Sequence, residues 1–233
     1  AAARAVSDRI NVIELIEPGK YQALRVGNDA AVAFPRLFVD ADVEISASSV
    51  DHLVEALTAH DVSAVGPRRV IPREGVHWAV RSYYDVWESL PSVSSGLFGR
   101  GVIGFSEVGH ERFVGLPEMM GDDLVISESF DSHERLVVVE AEVTIHPPRT
   151  LTDLHRRRIR ASTGNAQADA AGLRRADGRT TVGDLAGVVR RNPRLAPRIP
   201  VFLAVVVAGR VAARRAVSAG DFETWERDES SRQ

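Results

Sequence analysis

Apolar and polar positions along the chain follow two periods, one typical of strands and one typical of helices. Compact apolar runs predict strands at residues 11–16, 37–39, 62–70 and 136–145. Apolar residues at helical spacing predict helices at residues 20–33, 50–57, 76–90, 122–130, 150–163, 180–191 and 199–219, and Ser48 or Ser49 can cap the second of these. This order predicts an α/β fold with a mixed, mostly parallel sheet flanked by helices.

Other stretches lack a clear period and suggest where the domain limits lie. Residues 92–104 are rich in serine and glycine, so we expect a loop that lies close against another part of the fold, followed by a short strand. The sequence begins at Ala1 in what resembles the middle of a helix, and we expect a fragment whose beginning is missing. The prediction is an α/β domain in residues 1–165, a C-terminal helical extension in 166–220 and a polar tail in 221–233.

Composition narrows the class of protein. Hydrophobic residues make up 44% and charged residues 26% of the 233 residues, the balance of an ordinary globular protein. The formal net charge of -3 gives no whole-chain field that would attract nucleic acid. The absence of cysteine excludes disulfides, zinc-thiolate sites and thiol nucleophiles, and it fits a reducing compartment. Since no secretory signal is seen at the start, we expect a cytoplasmic protein.

One apolar run raises the question of membrane contact. It covers residues 199–209 and is followed by Arg210, Arg214 and Arg215. Because a membrane span takes roughly 20 apolar residues, a run of this length is more typical of a buried or interfacial helix. We therefore expect either a buried helix or peripheral contact with the inner face of the cell membrane.

Two carboxylates follow the strand predicted at residues 37–39. Asp40 and Asp42 stand one residue apart at its end, and ligands of open parallel sheets bind at the carboxyl ends of strands. Mg2+ and Mn2+ prefer oxygen ligands and are commonly shared between one or two carboxylates and substrate phosphates. The pair is a candidate site for such a divalent cation on a diphosphate. The alternative is two acids that only begin a turn.

Further candidates stand at the starts of two predicted helices. Lys20 follows Pro18 and Gly19, and a lysine beside free backbone amides can hold phosphate, although a solvated lysine is the alternative. Asp122 and Asp123 open another helix, where one acid can act as a general base toward an acceptor hydroxyl. Acids at this position also serve as caps or partners of the helix dipole.

A basic helix carries four arginines, at positions 156, 157, 158 and 160. Arginine makes bidentate contacts with phosphate oxygens, so this helix can neutralise a diphosphate. A solvated basic face or a face toward anionic lipid is the alternative. Nucleic acid is not favoured, because no aromatic residues are interleaved with the arginines. His146 and His155 flank the helix and are candidates for an extra metal ligand or for a structural role.

The order of these motifs resembles that of the inverting family 2 glycosyltransferases, which have the Rossmann-like GT-A fold. The resemblance covers residues 11–165. It rests on Gly-Lys-x-x-Ala-Leu at 19–24, Phe-Val-Asp-Ala-Asp at 38–42, the glycines of 99–104, Gly-Asp-Asp-Leu at 121–124 and Arg-x-x-Arg at 157–160. It implies an enzyme of the cell envelope that moves a sugar from a nucleotide-sugar donor to an acceptor hydroxyl with inversion. A glycan, a lipid or a small molecule would be the acceptor.

The resemblance also implies roles for individual residues. Asp40 and Asp42 match the family's Asp-x-Asp motif, whose last acid binds the metal on the donor diphosphate. Asp123 matches the second acid of the family's acidic pair, the usual base, and Asp122 matches the first. Lys20 matches a lysine near the donor. Arg157 and Arg160 are placed in donor binding in the same way.

Two departures from the family pattern change the expectation. Where many members carry Gln-x-x-Arg-Trp, only Arg160 is retained, since Arg157 and Ala161 replace the Gln and the Trp. This favours a transferase that adds a single sugar over a processive polymer synthase. The nucleotide-gripping segment at the front of the family's domain is also not seen before Ala1. The alternatives are a nucleotidyltransferase acting on sugar phosphates and a non-catalytic, membrane-associated interaction module.

Overall fold

The computed structural model describes residues 10–16, 19–117, 122–175 and 178–218, and these divide into two units at the Phe34–Pro35 junction. In the first unit, helix α1 covers Lys20–Ala30, which confirms the helix predicted there. Residues 10–16 form no strand, so the strand predicted at 11–16 is wrong. Its apolar side chains are largely exposed, among them Ile13 and Ile16, and apolar spacing by itself does not supply the paired ladder that defines a strand.

The second unit is built on one five-stranded sheet. Its strands are β1 (Arg36–Val39), β2 (Val43–Ile45), β3 (Ala64–Val70), β4 (Val102–Phe105) and β5 (Arg135–Ile145). Their order across the sheet is β1-β4-β3-β5-β2. The long central strands β3 and β5 pair side by side, and the short strands lie outside them.

The prediction of a mostly parallel sheet is wrong, because the sheet is mixed and mostly antiparallel. Only the β3–β5 pairing is parallel among the described strands, whereas β1–β4, β3–β4 and β2–β5 are antiparallel. Two helices, Trp78–Trp87 and Pro91–Ser95, lie between β3 and β4, yet these strands pair antiparallel, because a helical connection does not by itself fix the strand direction. The α/β class and the flanking helices are as predicted.

Helix α2 (Ala47–Ala59) covers one region of the sheet. Its buried Leu53 and Leu57 belong to the same apolar cluster as Val65 of β3 and Val143 of β5. The N-cap is Ser46, whose hydroxyl accepts the Ser49 N–H at 3.1 Å. The prediction of Ser48 or Ser49 as the cap is therefore wrong, because both already lie in the first helical turn.

Two of the remaining helices lie between β3 and β4, two lie between β4 and β5, and the others follow β5. They are α3 (Trp78–Trp87), α4 (Pro91–Ser95), α5 (Glu107–Val114), α6 (Asp122–Ser129), α7 (Leu151–Ala170), α8 (Val182–Arg191), a 3-10 helix (Pro193–Arg198) and α9 (Ile199–Ser218). Helices α3, α7, α8 and α9 share a second apolar cluster, in which Tyr83 stacks on Phe202 with ring centroids 5.4 Å apart. The predicted domain limits at 165 and 220 stay predictions, and the polar tail at 221–233 lies outside the described residues.

Candidate functional site

Asp40 and Asp42 lie on the short turn between β1 and β2, and both are exposed. The Asp40 N–H donates to the Gly101 carbonyl oxygen at 2.7 Å. This bond continues the β1–β4 ladder one step beyond the Val39–Val102 pair. The sheet therefore fixes the backbone at the first acid of the predicted metal-binding pair.

The loop that accepts this bond is the glycine-rich stretch 96–101, between α4 and β4. Gly99 and Gly101 have φ values of +61° and +65°, in the left-handed region that favours glycine. A side chain at Gly101 would also overlap Val43, the residue that follows Asp42. The prediction of a loop that lies close against another part of the fold is confirmed for residues 96–101, which lie against Asp40 and Val43. Residues 92–95, predicted as part of that loop, belong instead to helix α4, so the prediction is wrong there.

Asp123 meets the same loop. It is half-buried as the second residue of α6, and its Oδ2 accepts the Gly99 N–H at 2.7 Å. Its Oδ1 accepts the Leu124 N–H at 2.8 Å, so both carboxylate oxygens are oriented by backbone amides. Asp40 and Asp123 are thus held by loop residues only two positions apart. Asp122 begins the helix, but its side chain lies outside the described part of the chain.

Two buried arginines support the loop from beneath, and the sequence analysis missed both. Arg69 on β3 is 8% exposed and donates to the carbonyl oxygens of Phe98, at 2.9 Å, and of Val93. Arg100 is 3% exposed and donates to the carbonyl oxygens of Gly96 and Pro67, each at 2.7 Å. The signal available in the sequence was a pair of adjacent arginines, Arg68 and Arg69, within a predicted strand, and an arginine between two glycines at position 100.

Burial disfavours the charged form of both guanidinium groups. Desolvation lowers the pKa of Arg69 to about 10, against the opposing charges of Glu88 and Asp123. Desolvation and the nearby charge of Arg69 lower the pKa of Arg100 to about 9, against Glu88. Both side chains remain positive at neutral pH, so two fixed positive charges lie under the loop that holds Asp123.

An aromatic pair connects the loop to helix α7. The Arg69 guanidinium lies over the Trp87 ring, 4.6 Å from its centroid, and a Cβ atom at Gly99 would lie 3.3 Å from the same ring. Tyr84 packs edge-on against Trp87 at 5.7 Å, and its hydroxyl oxygen accepts a hydrogen bond from Arg157 Nη1 at 3.3 Å. The predicted donor-binding Arg157 is therefore joined to the loop through two aromatic rings.

Three further residues singled out in the sequence lie on other elements of the chain. Arg160 lies three residues beyond Arg157 on α7 and is half-buried. Lys20 begins α1 in the first unit, so its part in donor binding stays a prediction. His146 Nε2 lies 3.0 Å from Glu44 Oε1, which pairs β5 with β2 at the surface.

A divalent cation fits the Asp40–Asp42 turn only as an ion shared with a ligand. Within the described residues, no group of three or more His, Cys, Asp or Glu side chains can hold a metal. Mg2+ and Mn2+, however, commonly take one or two carboxylates and complete their shell with phosphate oxygens and water. Two exposed acids on one turn fit that requirement and leave the rest of the coordination to the substrate.

Comparison with known proteins gives a likeness of fold. No protein-family model and no curated protein matches it. Among solved structures, a mannosyltransferase from Pyrobaculum calidifontis, solved in complex with GDP-Man and Mn2+, matches with a TM-score of 0.51 at 18% identity. The match covers 88% of this chain but only 59% of that one. The two proteins share a fold, a mixed α/β sheet with flanking helices.

Proposed function

We propose that this protein is a metal-dependent, inverting glycosyltransferase of the family 2 type that moves one sugar at a time from a nucleotide-sugar donor to an acceptor hydroxyl. The observation that carries the proposal is the loop 96–101, which binds the Asp40 backbone at Gly101 and the Asp123 carboxylate at Gly99. Asp40, an acid of the proposed metal site, and Asp123, the candidate base, are thereby both hydrogen-bonded to one short loop. This arrangement suits a displacement reaction between the two acids.

The acidic turn and the basic groups would share the donor diphosphate. Asp42, with Asp40, would hold the divalent cation, which when bound supplies positive charge to the leaving diphosphate. Arg157 and Arg160 on α7 are the proposed partners of the phosphate oxygens. The role of Lys20 near the donor stays a prediction from the sequence. The buried positive charges of Arg69 and Arg100 support this, since they make the electrostatic potential near the loop favourable for an anion.

Asp123 is the proposed general base. As the acceptor oxygen attacks the anomeric carbon, its proton passes to the Asp123 carboxylate, and the bond from that carbon to the diphosphate oxygen breaks. The products are a glycoside of inverted configuration and a nucleoside diphosphate. The hydrogen bonds that the Gly99 and Leu124 N–H groups donate to Asp123 orient its carboxylate for the proton transfer. Asp122, beside it, is the alternative base.

The first test measures nucleoside diphosphate release from a panel of nucleotide sugars with Mn2+ or Mg2+. GDP-Man comes first because the similar mannosyltransferase was solved with it. We expect Asp123→Asn to lower turnover by about 10²–10⁴-fold and to leave donor binding largely unchanged. Asp42→Ala should remove metal-dependent donor binding. Asp61→Asn is the matched control. Asp61 is exposed and precedes β3, and the start of β3 lies at the opposite end of the strands from Asp40.

Each alternative gives a different result in this assay. Release of pyrophosphate instead of a nucleoside diphosphate would identify a nucleotidyltransferase. No metal-dependent nucleotide binding with any donor would favour a non-catalytic interaction module. Equal loss of donor binding in Asp123→Asn would remove Asp123 from the role of base.

A further inference from the structure

Helix α9 presents an apolar face to the outside of the protein. Leu203, Val207 and Val211 follow one another at intervals of four residues and are 41%, 57% and 43% exposed. Pro200, Ala204 and Ala208 are also exposed, so this face is apolar for more than two turns. Exposed apolar stripes of this length in a water-soluble fold mark surfaces that contact another apolar phase.

The opposite face of α9 is already covered by protein. Phe202, Val205 and Ala213 are buried, and Phe202 stacks on Tyr83 of α3. At Gly209 the helix lies so close to α7 that an added Cβ atom would lie 2.9 Å from Arg158 Cβ. By length and composition alone, Pro193–Arg215 is long enough and apolar enough to cross a bilayer. A span, however, would have to leave these contacts, whereas a helix lying in the plane of the membrane keeps them.

Charge identifies the kind of surface that fits this face. Residues 185–220 contain seven of the chain's 29 basic residues and none of its 32 acidic ones, which leaves 22 basic and 32 acidic residues elsewhere. The seven are Arg190, Arg191, Arg194, Arg198, Arg210, Arg214 and Arg215. Arg210 and Arg214 stand on the same side of α9 as Leu203 and Val207, one to two turns further along, and are exposed.

We propose that the face of α9 formed by Leu203, Val207, Val211, Arg210 and Arg214 lies in the headgroup region of an anionic lipid bilayer, with the helix parallel to the membrane. The apolar side chains enter the acyl boundary, and the two arginines remain at the phosphate level because their long stems allow it. This proposal is independent of the catalytic one, since it rests on the exposed face of α9 and on the charge of residues 185–220.

The test is cosedimentation of the purified protein with phosphatidylcholine vesicles, with and without phosphatidylglycerol. We expect binding only when phosphatidylglycerol is present, and weakening of that binding by added salt. Val207→Glu should weaken it by about tenfold or more, because a charge replaces an apolar side chain in the contact. Val108→Glu is the matched control, because Val108 is an exposed helical valine, 67% exposed on α5, outside the proposed face.

A second variant keeps the test decisive if Val207→Glu alters the fold. Arg210→Gln combined with Arg214→Gln leaves the apolar residues in place and should still lower the affinity for phosphatidylglycerol vesicles by about tenfold. Absence of binding to anionic vesicles, or unchanged binding by both variants, would overturn the proposal. So would self-association that depends on Val207 in the absence of lipid, which would assign the face to a second copy. Resistance to release by both salt and alkali would instead indicate a span.

Discussion

Gly101 is the residue on which the candidate site depends most directly, because its carbonyl oxygen accepts the Asp40 N–H while its own backbone is left-handed. We expect Gly101→Ala to cost about 1–2 kcal/mol for the backbone conformation and about 1–3 kcal/mol more for overlap with Val43. The proposed sugar transfer should fall as well, because the loop must move away from Val43, which follows the Asp40–Asp42 turn. Thermal unfolding and donor turnover measure the two effects.

Gly75 provides the control for that substitution. Its φ is +67°, yet a Cβ atom there would meet nothing within 4 Å. Gly75→Ala should therefore show only the conformational cost of about 1–2 kcal/mol and retain full turnover. If the two variants lost the same stability and Gly101→Ala kept its activity, the packing of loop 96–101 on the acidic turn would not matter to the site.

At the scale of elements, one ion pair ties helix α5 to the start of β5. Arg112 donates from Nη1 and Nη2 to the two Glu134 oxygens at 2.7 and 2.8 Å, and the Asp131 N–H donates to the same carboxylate. The Arg112 hydrogen bonds, followed by that of the Asp131 amide, lower the pKa of Glu134 to about 2. A carboxyl whose pKa is lowered by folding stabilises the fold above its unfolded pKa, and the stabilisation is lost as the pH falls through the folded value.

Glu134→Gln should accordingly destabilise the protein at neutral pH and progressively less in acid. We expect about 1–2 kcal/mol at neutral pH, because the pair is partly exposed and screened by solvent. The difference from wild type should shrink between about pH 4.5 and 2. Denaturant unfolding at several pH values measures it, with exposed Glu140→Gln on β5 as the control. A difference that stays constant with pH would rule out this ion pair as its source.

Element positions were largely predictable, whereas strand directions were not. The helical period predicts α3, α8 and α9 to within a few residues. Each of these helices buries one face, and the apolar residues of that face recur at helical spacing. Strand direction depends on the path by which the chain returns to the sheet. The apolar spacing of the connecting helices does not determine that path. Strand β2 has only three residues, too few to show any period.

The candidate site divides in the same way. Asp40 and Asp123 were identifiable because acids after a strand and at a helix start are visible in sequence. Their common support could not be predicted, because it depends on the β1–β4 register and on two left-handed glycines. Arg69 and Arg100 were missed because arginine is normally assigned to the surface, and only the folded chain shows the carbonyl oxygens that accept their hydrogen bonds.

At the scale of the whole molecule, consecutive residues of α7 connect the candidate site to α9, since Arg157 contacts Tyr84 while Arg158 contacts Gly209. Gly209→Ala would put its Cβ 2.9 Å from Arg158 Cβ and 3.4 Å from the Arg158 carbonyl, so the helices must separate, at about 1–3 kcal/mol. Gly187→Ala, on α8, meets only the flexible end of Arg191 at 3.4 Å and should stabilise by about 0.5–1 kcal/mol. Denaturant unfolding should therefore move in opposite directions for the two variants. A stabilised Gly209→Ala would mean that the α7–α9 crossing is loose enough to accept a methyl group without separating the two helices.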